Sequence, residues 1–467
     1  MGAKRMTEGA PWKHILFFAL PLIAGHFLQQ LYNTVDGIVV GQFVSSEALG
    51  AVGVCTTLCL AFLCLAIGMS NGCAVVFSQF FGAKHIEDLR KAVATGIIIL
   101  VAMGLFLTGV GYIIGDFMLK SVLAVPENYL ADSQMYFRIY ISGMAFQFLF
   151  NVCSAILRSL GDSKATLYFL IVSSVSNVAL DLLFVCSFKW GVMGAAVATV
   201  ISHILSAVVA VIYMFKKYEM LRFQRGEFKF YPHIAKIELK MAIPTTLQQF
   251  VVSLGSIALQ RLVSTFELTT PGLLPGYTAG QRIEQFMNIP AFSMQATMSV
   301  YTGQNVGAGK YERIKTGRVS ARIIGIGIQL VIGIVAFVLR HPLIRLFGVT
   351  GAAEEIGVEF LTTMIPMVFL FVLSMSTLGT LIGAGDTVFA SFNSISMFVF
   401  RCAMAYLLAF TTPLGYRMIW LNLPLGWIYS IIMTEVRYAK GKWKEKAVVK
   451  HDMAVHNAQQ QEEQPAE

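Results

Sequence analysis

Ile156-Leu157-Arg158-Ser159-Leu160-Gly161-Asp162 ends in a Gly-Asp corner that returns 224 residues later, in Leu381-Ile382-Gly383-Ala384-Gly385-Asp386. Working outward, Gln79-Phe80-Phe81-Gly82-Ala83 returns as Gln304-Asn305-Val306-Gly307-Ala308 at an offset of 225. Ala19-Leu20-Pro21 returns as Ala242-Ile243-Pro244 at 223. Each match alone is weak, but three in the same order at one offset mark an internal duplication. Glycine permits a tight turn and aspartate caps a following helix, so Gly161, Asp162, Gly385 and Asp386 are expected as structural corners between spans.

The duplicated unit is a membrane unit. Apolar residues make up 56% of the chain and charged residues 13%, against roughly 25% charged in a soluble domain. Apolar runs at 16–40, 49–77, 92–114, 135–157, 165–188 and 192–214 are followed by runs at 244–266, 277–300, 323–338, 356–382, 388–410 and 418–433. Most reach the ~17–25 residues that cross a bilayer as a helix; 323–338 is short. None shows the alternation of barrel strands. The fold expected is an all-α polytopic membrane protein. Twelve transmembrane helices form two pseudo-symmetric six-helix lobes around a central cleft, the architecture of many secondary transporters. The lobes are expected at 1–215 and 241–436, joined by a basic amphipathic linker at 216–240 on the inner leaflet, with a disordered cytoplasmic tail at 437–467.

The net charge of +9 records topology. With the N-terminus inside, 26 of the 35 lysines and arginines fall on inner segments, which places both termini in the cytoplasm. Nucleic acid is therefore excluded as a partner, and the bilayer is the expected one. The first apolar run is too long for a cleavable signal and lacks a small-x-small cleavage site. The seven cysteines lie inside spans without metal-like spacing, and free buried thiols are expected.

Polar residues inside spans point to the site. Gln29, Asn33 and Asp36 form one stripe in span 1; Ser173, Asn177 and Asp181 one in span 5; Thr199, His203 and Ser206 one in span 6. None of these stripes suits lipid, so the three spans are expected to enclose a polar chamber. Desolvation and mutual repulsion of Asp36 and Asp181 favour a bound proton. The same carboxylates with the Asn177 carbonyl and the Thr199 hydroxyl equally suit Na+ as hard oxygen ligands. H+ or Na+ is thus the coupling ion expected at Asp36, Asn177, Asp181 and Thr199, and no cofactor is expected.

The second half keeps the frame and changes the chemistry, since the repeat positions of Asp36 and Asp181 are Leu259 and Ala405. Span 8 carries Gln281, Arg282, Glu284 and Gln285 instead. Glu284 is expected either to meet cationic substrate or to pair with Arg401 or Arg261. Gln29, Asn33, His203, Gln281, Glu284 and Met287 are the expected cleft lining, with Met144, Phe148 and Met294 as an adaptable apolar wall.

Asn33-Thr34-Val35-Asp36 with Gly41, Gln79–Ala83, Ile156–Asp162, Gly194-Ala195-Ala196-Val197-Ala198-Thr199, Gln281-Arg282-Ile283-Glu284 and Gln304–Ala308 together resemble the multidrug and toxic compound extrusion (MATE) family, in its prokaryotic DinF-like branch. The likeness covers nearly the whole chain. It implies two six-helix lobes with a V-shaped cleft and export of small organic cations and other drugs against H+ or Na+. It also implies a coupling site matching Asp36, Asn177, Asp181 and Thr199, in a protein of the bacterial or archaeal cytoplasmic membrane acting as a monomer. Other branches carry an acid within span 7, where this chain has none before Glu267 at the span's outer end. A lipid-linked oligosaccharide flippase of the same superfamily is the alternative. Gly383-Ala384-Gly385-Asp386 also spells the GxGD of intramembrane aspartyl proteases, but no second-half aspartate stands in a neighbouring span to pair with it. An enzyme is not expected.

Overall fold

The prolines of the repeat, Pro21 and Pro244, lie inside long helices of the computed structural model. The structure describes the backbone of residues 5–43, 46–123 and 125–449; side chains at 32–51, 54, 57, 128 and 253–258 lie outside the described set. In chain order the helices are α1 (Pro11–Phe43), α2 (Ser46–Ala83), α3 (Ile86–Phe117), α4 (Glu127–Ser142), α5 (Met144–Ser159), α6 (Ser163–Asp181) and α7 (Gly191–Lys217). The second series is α8 (Pro232–Glu267), α9 (Leu273–Gly307), α10 (Tyr311–Val338), the short α11 (Arg340–Arg345), α12 (Ala352–Met364), α13 (Val368–Gly383), α14 (Thr387–Thr411) and α15 (Met418–Ala439).

Counting α4/α5 and α12/α13 each as one interrupted rod, this is twelve long rods, six per half. Nine spans among the described residues are long and apolar enough to cross a membrane, and ten with the bent α4/α5 pair. The expected span at 135–157 is that bent pair: it breaks at Gly143 with a 47° turn. The span expected to be short, 323–338, belongs to the 28-residue α10, whose charged first turns hid its start from a hydropathy reading.

Two compact units emerge, 1–5 with 24–246 and 6–23 with 247–467. Their boundaries fall inside α1 and α8. In the second unit Met6, Ile15, Phe18, Ala19 and Leu22 form one apolar cluster with Met294, Met298, Val300, Tyr301 and Ala321. In the first unit the start of α8 lies against α2. A Cβ on Gly72 would stand 2.3 Å from the Ala242 Cα, and one on Gly68 2.5 Å from that of Thr246, so only glycine admits this approach. Thr245 Oγ1 donates to the Gly68 carbonyl at 2.7 Å.

Two stretches differ from the sequence reading. The segment 216–240 is helix up to Lys217 and again from Pro232, with a 3-10 turn at Glu219–Leu221 between. The tail expected to be disordered from 437 is ordered to 449. A 3-10 turn at Lys442–Lys446 seats Trp443, 2% exposed, in a cluster with Val306, Ile314, Leu381, Ala384 and Ala447. One indole buries enough apolar surface to fix a lysine-rich segment.

Candidate functional site

The site in the first unit is built by α6 and α7, antiparallel neighbours joined by three residues. α6 widens into a π-helical stretch at Leu182–Ser187, immediately after Asp181. Such bulges recur at functional sites because they re-aim the side chains beside them. Trp190 stacks on Phe184 with ring centroids 5.0 Å apart and returns its N–H to the Phe184 carbonyl at 2.9 Å. This pins the turn that starts α7. The facing stripe of α7 is then small and polar: Ala195, Ala198, Thr199, Ser202 and Ser206 are all buried.

Asn177 and Asp181, four residues apart on one helix face, are each 1% exposed, and Thr199 is 5% exposed. With its amide nitrogen toward the carboxylate, Asn177 donates to Asp181 Oδ2 at 2.6 Å and accepts from the Thr199 backbone N–H at 3.2 Å. The reverse orientation would set the amide oxygen against a carboxylate oxygen, which nothing compensates. The Thr199 hydroxyl lies 3.3 Å from the same amide and donates to the Ala195 carbonyl at 3.0 Å. Three of the residues singled out in the sequence are therefore in direct contact, buried within one unit. The side chains of Asn33 and Asp36 lie outside the described residues. Gln29 is exposed, Ser173 is half-buried, and Ser206 donates along its own helix to the Ser202 carbonyl. His203 packs edge-on against Tyr140, ring centroids 6.0 Å apart.

The second unit holds a different polar set. Gln281 donates to the Tyr277 hydroxyl at 2.8 Å, and Glu284 accepts from Asn288 at 3.2 Å. Arg401 is near enough for its charge to act on Glu284, although the two do not touch. Arg261 is exposed. Arg401 donates instead to Asn422 Oδ1 at 3.0 Å and passes over Gly426, where a Cβ would fall 2.3 Å from the Arg401 Cγ. Periodicity gives no sign of this Arg401–Asn422 pair, which joins α14 to α15. Met144, Phe148, Met287 and Met294 are all buried. Glu267 accepts from the backbone N–H groups of Gly272 and Leu274, so it caps the start of α9.

At the corners, Gly161 and Gly385 take φ of +83° and +93°, a region open to glycine. Asp162 accepts from the Ala165 N–H at 3.2 Å, from Lys217 at 2.7 Å, and from the Tyr213 and Tyr218 hydroxyls. Burial opposes its ionisation, but Lys217 and the tyrosines outweigh that and hold its pKa below the usual value. Asp386 does not cap its helix; Arg437 grips both its oxygens at 2.7 and 3.2 Å. Among the described residues no three His, Cys, Asp or Glu side chains form a metal-holding group.

The MatE family model matches twice, at residues 21–183 and 244–407; the offset of 223–224 between the blocks is that of the internal repeat. A probable multidrug resistance protein of Bacillus subtilis, YpnP, is 27% identical across 95% of this chain and 98% of its own length. The probable multidrug resistance protein NorM of Thermotoga maritima is 24% identical across 94% of both. Among solved structures, a MATE crystal structure in complex with MaD3S superposes with a TM-score of 0.86 at 24% identity, over 94% of this chain and 98% of that one. An outward-facing MATE transporter of the MOP superfamily gives 0.84 at 22%, over 92% and 97%. With two matched halves, a shared twelve-helix fold and relatives aligned end to end, this chain belongs to the MATE family of membrane transporters and is not an enzyme.

Proposed function

We propose that this chain is a secondary active exporter of organic, mostly cationic compounds, working by alternating access in exchange for H+ or Na+. The observation that carries the reading is the buried contact of Asp181 with Asn177 and of Asn177 with Thr199. An acid inside a membrane bundle is retained where it binds or relays a cation. On sequence grounds Asp36 completes the set. The multidrug names of the relatives supply the substrate class. Gln29, Asn33, His203, Gln281, Glu284 and Met287 are proposed to line the substrate path. The basic inner segments favour both termini in the cytoplasm, in a plasma-membrane protein acting as a monomer.

In the proposed cycle the entering cation binds Asp36 and Asp181 from outside, their pocket rearranges, and affinity for substrate falls. The protein then turns inward, releases the cation and reloads. The coupling resides in the different affinities of the two states for cation and substrate.

The test is efflux of a fluorescent organic cation from proteoliposomes under an imposed proton gradient and, separately, a sodium gradient, for wild type and Asp36→Asn. Gradient-driven efflux lost in the variant establishes the antiporter, and the effective gradient names the ion. Well-folded Asp36→Asn protein that still pumps refutes the assigned site. No efflux under either gradient replaces the reading with the lipid-linked flippase.

A further inference from the structure

The start of α8 carries an acid that the transport reading does not use. Ile234, Ile237, Glu238, Met241, Ala242 and Thr245 are buried along one stripe of the helix, while His233, Lys236 and Lys240 are exposed on its other side. Glu238, in the middle of the stripe, is 0% exposed. Neither of its carboxyl oxygens has a hydrogen-bond partner among the described residues. A Cβ built on Gly96 of α3 would lie 3.2 Å from its Oε1 and 2.8 Å from the Phe77 ring of α2, so backbone and an aromatic ring wall this carboxyl.

The basic residues that precede Gly96 on α3 are engaged with other acids. Lys91 of α3 bonds Glu87 at 2.7 Å and lies 3.6 Å from Asp88, and Arg90 faces Glu227 at 3.4 Å. From α2, the buried Cys73 thiol lies near enough for a charge on Glu238 to act on it. An ionised carboxylate here would have lost its water with nothing in exchange, a cost large enough that the group takes up a proton instead. Burial accordingly raises its pKa well above the usual value.

We propose that Glu238 is a proton-binding site at the α8 end of the first unit, separate from the Asp181 set. In it the neutral acid lets α8 seat in the Gly68/Gly72 groove of α2, and ionisation loosens that seat. The inference does not rest on the export reading, because its primary test needs no substrate.

The sign follows from the raised pKa. The folded protein keeps a proton that the unfolded chain releases near about pH 4.3. Stability is therefore full below that pH and is lost as pH rises toward and through the folded value. The experiment is thermal unfolding of the full chain in detergent across pH, for wild type, Glu238→Gln and Glu238→Met. The expected result is that both variants fold, match wild type at the acid end and exceed it increasingly as pH rises. A gap that does not change with pH overturns the proposal. So does loss of folding in both variants, since a neutral acid in an apolar seat tolerates a neutral residue of similar volume. In proteoliposomes, Glu238→Gln efflux is expected to lose the dependence on α8-side pH that wild type shows; superimposable pH profiles also count against it.

Discussion

Asn177 in the first unit and Arg401 in the second occupy the same place in the repeat, 224 residues apart, one a neutral amide and the other a cation. Each reaches from the penultimate long helix of its unit to the last one, Asn177 to Thr199 and Arg401 to Asn422. One turn on, Asp181 in the first unit is Ala405 in the second, fully buried. The same replacement occurs where the units hold the first helix of the other half. Glu238 and Cys73 in the first unit correspond to Ile15 and Met298 in the second, and the latter pair lies in one apolar cluster. At these positions duplication has kept the backbone frame while one copy carries acids and the other an arginine and apolar residues.

The largest effect expected from this asymmetry is on transport. Asp181→Asn should abolish gradient-driven efflux of a fluorescent cation while leaving the protein folded. Arg401→Gln should change rate or substrate affinity and keep the dependence on the gradient. Efflux that survives in the first variant, or loses its gradient dependence in the second, breaks the comparison.

The corners come next. Asp386 is 3% exposed and its two oxygens are held by Arg437. Asp386→Ala removes both charge-assisted hydrogen bonds to the partly exposed Arg437 and should cost about 3 kcal/mol of stability by thermal unfolding. Below that in size is the helix seat. Gly72→Ala drives a methyl into the Ala242 backbone and should cost about 2 kcal/mol. Its repeat partner Thr297 spends its hydroxyl on the Ser293 carbonyl of its own helix, so Thr297→Ala should cost about 0.5–1 kcal/mol. Equal effects at the two positions would mean that the seats are built alike.

What the sequence disclosed follows from periodicity. The 224-residue offset, the Gly-Asp corners and the i, i+4 polar stripes each depend on local spacing, and the structure realises the Asn177, Asp181 and Thr199 contacts on that spacing. The rest depends on partners distant in the chain. Glu238 stands among Lys236, Lys240 and Arg225 and reads as one more solvated charge. Its burial follows from residues 142 and 161 positions earlier, Gly96 and Phe77, which wall its carboxyl. Trp443 sits among lysines in the same way, anchored by a pocket from α9, α10 and α13. The bend at Gly143 leaves no mark on hydropathy because both arms are apolar enough to cross together.

A further effect, at the Asp162 corner, depends on pH. Asp162 is tied to Lys217 and two tyrosine hydroxyls. The depressed pKa of Asp162 means that the folded protein releases this proton more readily than the unfolded chain does. Its contribution is present above the unfolded value of about 3.9 and is lost as pH falls through the lower folded value. Asp162→Asn should therefore lower thermal stability by about 1 kcal/mol at neutral pH, the scale of a hydrogen bond to a partly exposed charge. The gap should close as the pH drops below about 4, where the wild-type carboxyl is protonated as well. No gap at neutral pH would assign Asp162 to the geometry of the α6 cap alone, since an asparagine side chain caps a helix as well as an aspartate does.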